Sequence, residues 1–310
     1  MLPPLTTILK STTQDPTPCL SLTVKLLSPL PLTRTLTIAD PPSLITALRS
    51  PLPGANLLAL AIIHKGAATP GEAALLSTLP DVIEELVRAW LSAADTGVAE
   101  KAARVIGDLL ETDCEVVGGG GGASHPQVNG VANEIVFPPS AQQQLVRRRR
   151  TPGHGRLWGL LFGDRQVFSQ ILTLCSPHPD RTMNQTTLAQ GRLLRLLPRL
   201  ATLNLAPLST TKFPDLLSDE GGLLRWAALH MVDATDILMH LNLVDFFETL
   251  VSVMRVAETR SGETDTQVGL LVRAAVGEDA ELETALRSLA NRTVEEEAEG
   301  LRAYIDELLG

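Results

Sequence analysis

The chain has 310 residues, of which 44% are hydrophobic and only 3% aromatic, and about 55 are leucines. Strands favour β-branched and aromatic side chains, so this composition argues against a β-sandwich or β-barrel and favours an all-α fold. The net charge of −9 argues against a general nucleic-acid-binding protein, which needs a large cationic face.

Charge is unevenly distributed along the chain. Residues 140–210 carry ten arginines and two aspartates, whereas residues 211–310 carry eight basic and twenty acidic side chains. Opposite potentials on successive segments suit a charged protein partner, and they equally suit ordinary solvated helix faces.

The cysteines and the apolar runs bear on the cellular compartment. Cys19, Cys114 and Cys175 are far apart and odd in number, so they predict no disulfide framework. The N-terminal MLPPLTTILKSTT lacks the features of a signal peptide. The longest uncharged apolar run, residues 55–63, is much shorter than the roughly 18 residues of a membrane span. We therefore expect a soluble intracellular protein that does not interact with membranes.

Helical patterns begin early in the chain. About half of the 21 prolines fall within residues 1–53 and predict several short N-terminal helices, because proline is poorly tolerated inside a helix. Apolar residues then recur at helical spacing over residues 81–91 and 98–110. The connector SAADTG between these two segments offers Asp95 or Thr96 as an N-cap.

Helix pairs of similar length recur further along. Residues 167–175 are followed by 188–200, residues 243–254 by 268–276, and residues 279–290 by 294–309. Helix pairs that cannot bury their apolar faces alone must stack on their neighbours, which predicts an α-solenoid of the armadillo or HEAT kind. A globular helical bundle is the alternative. We expect residues 1–310 to form a single domain.

Residues 115–155 interrupt the helical pattern and predict a flexible insertion loop between repeats. The five glycines at 118–122 are not followed by the Lys-Ser/Thr of a phosphate-binding loop, so a linker is favoured. The run Arg147, Arg148, Arg149 and Arg150 fits a nuclear localisation signal or a phosphate-binding patch, and it equally fits a solubilising charge run.

Few residues predict metal or cofactor chemistry. Cys175 and His178 form an isolated C-x-x-H pair, whereas structural zinc needs four ligands. Cys175 is therefore expected to be a small buried apolar residue on its helix. We expect neither a metal nor a cofactor.

The richest polar cluster contains His230, Asp233, Asp236 and His240. Asp236 and His240 lie one helical turn apart, a spacing compatible with general acid–base chemistry. No nucleophile with a matching base is evident. A capping aspartate beside ordinary surface histidines is the simpler interpretation, and partner binding is a further use of the same residues.

Arg192, Arg195 and Arg199 form one polar stripe on their predicted helix, opposite a stripe of leucines. In a solenoid one helix of each pair lines the concave surface, where such arginines would meet an acidic partner. A solvated face is the alternative interpretation.

Longer strings carry a resemblance. The segments that carry it are VAEKAARVIGDLLETDC (98–114), LWGLLFGDRQVFSQILTLCS (157–176), LAQGRLLRLLPRLATLNL (188–205) and GLLRWAALHMVDATDILMHLNLVDFFETLV (222–251). They resemble the S5b-type family of proteasome assembly chaperones. These are HEAT/armadillo-repeat proteins, and the likeness extends over residues 15–310. Its fungal members are also labelled DNA mismatch repair proteins. Members are usually longer, which implies that this chain is shortened.

The resemblance implies a binding protein and no enzymatic activity. Members of the family are similar in holding the C-terminal domain of a proteasomal ATPase subunit while the 19S regulatory-particle base assembles. The resemblance therefore implies that this chain is a cytoplasmic monomer whose partner is such a subunit. A nuclear location is also compatible with it. The alternatives are an adaptor in DNA mismatch repair and a generic helical-repeat scaffold. Direct binding to nucleic acid is not expected at this net charge.

Overall fold

The computed structural model describes residues 17–115, 152–217 and 221–310. Every secondary-structure element in these three ranges is helical, and they contain no strand. The predicted all-α fold class is confirmed.

Sixteen α-helices and two 3₁₀ helices lie in the described part of the chain. In chain order the α-helices are α1 (Thr17–Leu27), α2 (Leu32–Leu36), α3 (Pro41–Leu48), α4 (Pro53–Ile63), α5 (Pro70–Leu76), α6 (Pro80–Ser92), α7 (Thr96–Thr112), α8 (Arg156–Gly163), α9 (Arg165–Cys175), α10 (Met183–Leu203), α11 (Ala206–Ser209), α12 (Gly222–Leu229), α13 (Ile237–Arg255), α14 (Gly262–Val276), α15 (Ala280–Leu289) and α16 (Glu295–Leu309). The 3₁₀ helices are His64–Ala68 and Ala290–Arg292.

Prolines begin several of these helices without breaking them. Pro41, Pro53, Pro70 and Pro80 each occupy the first helical position, where the missing backbone N–H has no intrahelical acceptor in any case. The N-terminal region described from Thr17 is accordingly divided into the short helices α1 to α4.

Four helices lie side by side in the order α4, α7, α10 and α13, and α15 lies beside α13; we call these five the parallel row. Thr112 near the end of α7 donates to the carbonyl of Ala67, just past α4. Thr259, just past α13, donates to the carbonyl of Thr202 near the end of α10. Because corresponding ends meet, neighbouring helices of the row run in the same direction.

A second set of helices packs against this row. Helix α6 contacts α3 and α9, and it also packs against α7 and α10 of the parallel row. Buried side chains extend as one contiguous cluster from Leu27 to Leu308, with Phe168 and Phe247 among the largest that are fully enclosed. Burial of this leucine-rich surface is the main favourable term in folding.

The two chain segments that flank residues 116–151 meet each other. The N–H of Gly153 donates to the Cys114 carbonyl (2.8 Å), and the N–H of Gly155 donates to the Asp113 carbonyl (2.9 Å). A side chain at Gly153 would collide with the Asp113 backbone, at distances down to 2.1 Å, so this close approach requires glycine. The predicted insertion loop falls mainly on residues 116–151, which lie outside the described residues.

Helix α13 is long and apolar enough to cross a membrane by length and composition alone. Core helices pass the same test, and α13 buries Leu243, Phe247 and Leu250 among other residues against the rest of the protein. Its Asp245, Glu248 and Arg255 are charged. This packing accounts for part of its apolar composition, while Ile237, Leu238 and Leu241 near its start are exposed.

Candidate functional site

The three arginines of the predicted stripe share the side of α10 that faces α7, but each makes different contacts. The guanidinium of Arg192 donates to the carbonyls of Leu91 and Ala93, both at 2.9 Å, at the end of α6. Those carbonyls lack intrahelical partners, so Arg192 acts as a C-terminal cap for α6. Burial lowers the pKa of Arg192. Arg192 is therefore engaged within the protein, a role that neither interpretation of the stripe, a partner-binding surface or a solvated face, predicted at this position.

Arg199 is likewise committed to neighbouring side chains. Its Nη2 donates to Asp108 Oδ1 (2.6 Å) and to Glu111 Oε2 (2.8 Å) on α7. Asp108 also contacts the Nε2 of His64 (2.7 Å), which follows α4. Burial raises the pKa of Asp108, but the hydrogen bonds from Arg199 and His64 outweigh it and hold that pKa below its usual value. Arg199 therefore links three helices of the parallel row.

Arg195 alone matches the expectation of an open cation. Its side chain is 76% exposed, and its nearest carboxylate, Glu100 on α7, is 3.9 Å away and equally open to solvent. Arg104, one turn beyond Glu100, is also exposed and forms no ion pair with any residue that the structure describes. These two arginines are available to a partner.

A cleft of about 480 Å³ lies between α7 and α10, and we call it the α7–α10 cleft. Its lining includes Arg104 and Arg195, the small residues Ala99 and Gly191, and Trp90 from α6. Trp90 is only 2% exposed, and its indole Nε1 has no hydrogen-bond acceptor among the residues that the structure describes. The cleft therefore combines free cations, open space and one unsatisfied buried donor.

The second predicted cluster does not form a catalytic pair. The Asp236 carboxylate accepts from the N–H groups of Leu238 (2.9 Å) and Met239 (3.3 Å) and caps α13. His240 instead contacts Asp279 at 2.7 Å. The interpretation of Asp236 as a cap is confirmed. His240 is not an ordinary surface histidine, because it is 15% exposed and joins α13 to the start of α15.

The other two members of that cluster lie outside α13. Asp233 accepts from the N–H and the hydroxyl of Thr235, and these hydrogen bonds lower its pKa. The backbone N–H of His230 donates to the Trp226 carbonyl at the end of α12. The N–H of Asp236 donates to the Asp233 carbonyl (3.2 Å), so Asp233 is joined to the start of α13 through the backbone while its carboxylate is engaged by Thr235.

The capping role of Asp236 makes a testable prediction. Asp236→Ala should lower the free energy of unfolding by about 1 kcal/mol, because two N–H groups at the start of α13 lose their acceptor. Asp236→Asn should keep most of that stability, since an amide oxygen also caps. Urea denaturation of the three proteins measures this, and equal losses in both variants would contradict the capping role.

The predicted C-x-x-H pair does not assemble a metal site. Cys175 is fully buried, as predicted, and burial raises the pKa of its thiol to about 12. His178 is instead exposed and contacts Asp180 at 3.6 Å. Among the described residues no group of three or more histidine, cysteine or acidic side chains could hold a metal ion. Arg147 to Arg150 and the glycines at 118–122 lie outside the described residues.

Sequence reasoning overlooked the α7–α10 cleft, although one signal was present. Ala99, Ala103 and Gly107 recur at intervals of four residues and place small side chains along one side of α7. Small residues let another element approach closely. Nothing in the sequence could reveal that Trp90 lacks an acceptor, because this depends on the packing of α6.

The comparisons with known proteins found no matching family model and no matching curated protein.

Proposed function

We propose that this chain is a helical-repeat protein whose parallel row forms one wall of an α-solenoid. Several observations support this arrangement. Helices α4, α7, α10 and α13 lie side by side and run in the same direction. A second set of helices packs against this row, and each helix contacts mainly the helices next to it. Side chains such as Arg199 and His64 join adjacent helices of the row.

We further propose that its function is to bind a protein and not to catalyse a reaction. The observation that carries this proposal is the open face of the parallel row around the α7–α10 cleft. Leu188 lies in the cleft and is 44% exposed, while Leu238 and Leu241 on α13 are 72% and 57% exposed. Exposed leucines beside free arginines are typical of a surface that a protein partner covers.

The proposed partner is the C-terminal domain of a proteasomal ATPase subunit. This choice rests on the resemblance of residues 98–114, 157–176, 188–205 and 222–251 to chaperones of the 19S regulatory-particle base. Such a chaperone would work by occupancy, covering the subunit until other components displace it. Arg104 and Arg195 would supply the positive charges that contact the partner, since Arg192 and Arg199 are engaged within the protein. Charge would set the rate and orientation of encounter.

An affinity purification tests the proposed partner. The tagged chain, expressed in cells and analysed by mass spectrometry, should recover subunits of the regulatory-particle base without the complete proteasome. The purified chain should then bind the isolated C-terminal domain of one ATPase subunit by biolayer interferometry in the absence of ATP. Recovery of mismatch-repair proteins instead would favour the adaptor function, and recovery of neither set would leave only the helical-repeat scaffold.

A further inference from the structure

We propose that the α7–α10 cleft binds an acidic amphipathic helix of a protein partner, with an apolar side chain above Gly191 and carboxylates at Arg104 and Arg195. This inference uses the protein-binding class of the proposed function but not the identity of the partner. Four features of the cleft carry it, and each concerns a different physical property.

The first feature is space for a side chain at the base of the cleft. A methyl group built on Gly191 meets nothing nearer than the Asn242 amide nitrogen at 4.0 Å. Ala99 and Ala103 face the same volume from α7. Along α10 the lining extends from Thr187 to Arg199, about 18 Å at 1.5 Å per residue. A helix of three to four turns matches a cleft of this length.

The second feature is the unsatisfied indole of Trp90. Buried polar groups are normally hydrogen-bonded, and leaving one unpaired is costly. The indole Nε1 of Trp158 follows this rule, because it donates to the Leu110 carbonyl at 2.9 Å. Trp90 is just as buried and lines the cleft, yet its Nε1 has no acceptor among the described residues. Because Nε1 is itself enclosed, it reaches an oxygen atom of a bound partner only if the Trp90 side chain turns toward the cleft.

The third feature is charge. Arg104 has no ion pair among the described residues, and Arg195 shares only a 3.9 Å contact with Glu100. Arg192, whose guanidinium contacts backbone carbonyls, adds positive charge deeper in the cleft, whereas the charge of Arg199 is offset by Asp108 and Glu111. An acidic partner gains from this potential, whereas a basic partner would be repelled.

The fourth feature is the apolar surface at one end of the cleft. Leu188 belongs to the lining, and Leu238 lies one helical turn before Asn242, which also belongs to it. Nucleic acid would meet leucines and Glu100 here, so the combination of apolar and cationic groups favours an amphipathic helix. Leucine or another apolar residue of that helix would cover these side chains.

The test uses the full-length chain and two fluorescein-labelled peptides of about 14 residues, the length of four helical turns. Both carry leucines on one face; the first has glutamates and the second has lysines at the remaining exposed positions. We expect the glutamate peptide to bind at least about tenfold more tightly by fluorescence anisotropy. Its affinity should fall as salt screens the arginines.

Matched variants locate the binding. Gly191→Leu fills the cleft and should weaken the glutamate peptide about tenfold or more. Gly159→Leu is its control, because Gly159 also lies in a helix and faces open space, but on α8 outside the cleft. The double variant Arg104→Glu with Arg195→Glu should reverse the preference to the lysine peptide.

Circular dichroism confirms that each variant keeps its helical content. Equal affinity for the two peptides, or unchanged affinity in folded Gly191→Leu, would overturn the proposed cleft site. Neither result bears on recovery of ATPase subunits in the affinity purification, so the cleft and the partner are tested separately.

Discussion

Replacing Asp113 by alanine should lower the free energy of unfolding by about 2–4 kcal/mol. Asp113 is completely buried at the end of α7. Its Oδ2 accepts from the N–H groups of Leu157 (2.6 Å) and Trp158 (3.4 Å), and its Oδ1 accepts from that of His154 (3.3 Å). One carboxylate at the end of α7 thus caps α8. Alanine would leave these N–H groups without an acceptor inside the protein.

Asp113→Asn is the matched control, and it should lose about half as much stability because one oxygen acceptor remains. Burial raises the pKa of Asp113 despite its three N–H donors. The folded state therefore holds this proton more tightly than the unfolded state. Its contribution to stability is largest below the ordinary pKa of 3.8 and declines as pH rises through the raised value.

Urea denaturation from pH 4 to pH 7 measures both effects. The difference in stability between the wild type and Asp113→Asn should shrink as pH rises, because only the wild type carries the titrating carboxyl. A loss below about 0.5 kcal/mol for Asp113→Ala would show that water replaces the missing acceptor and that α8 does not depend on this cap.

The fold class could be predicted because leucine content and helical periodicity are properties of local sequence. Apolar spacing located the cores of α7, α9 and α13 well. Apolar spacing placed the first residue of some helices too late in the chain. Helix α13 begins at Ile237 and not near residue 243, and α14 begins at Gly262 and not near residue 268. Ser261 and Thr264, which lie between the two predicted segments, form a capping box in which each side chain accepts from the backbone N–H of the other. Capping residues are polar, so apolar periodicity does not reveal them.

The candidate site was harder to predict because its parts come from distant segments. The stripe of Arg192, Arg195 and Arg199 was correctly placed on one side of a helix, but periodicity cannot tell which neighbour lies opposite each guanidinium. Arg192 reaches carbonyls about 100 residues earlier, and Arg199 reaches carboxylates on α7. Only Arg195 remained open to solvent. Reversing all three charges together would therefore disturb packing as well as any binding.

The second large effect on stability is expected at Arg199. Arg199→Ala should lower the free energy of unfolding by about 1–3 kcal/mol, because Asp108 and Glu111 would lose a shared charged donor. The Arg199 side chain is 37% exposed, and solvent screening keeps the effect below that of a fully buried pair. Arg195→Ala is the control on the same face. It should change stability by no more than about 0.5 kcal/mol, since its ion pair is long and exposed.

The acid dependence of this effect separates charge from packing. The pKa of Asp108 lies below its usual value in the folded protein, so its favourable contribution is present above the unfolded pKa near 3.8 and is lost as pH falls through the folded value. The stability difference between the wild type and Arg199→Ala should therefore be largest near pH 7 and decrease below pH 4. A difference that is unchanged across this range would mean that the packing of the Arg199 side chain, whose guanidinium lies over Gly107, stabilises the parallel row and that its charge does not.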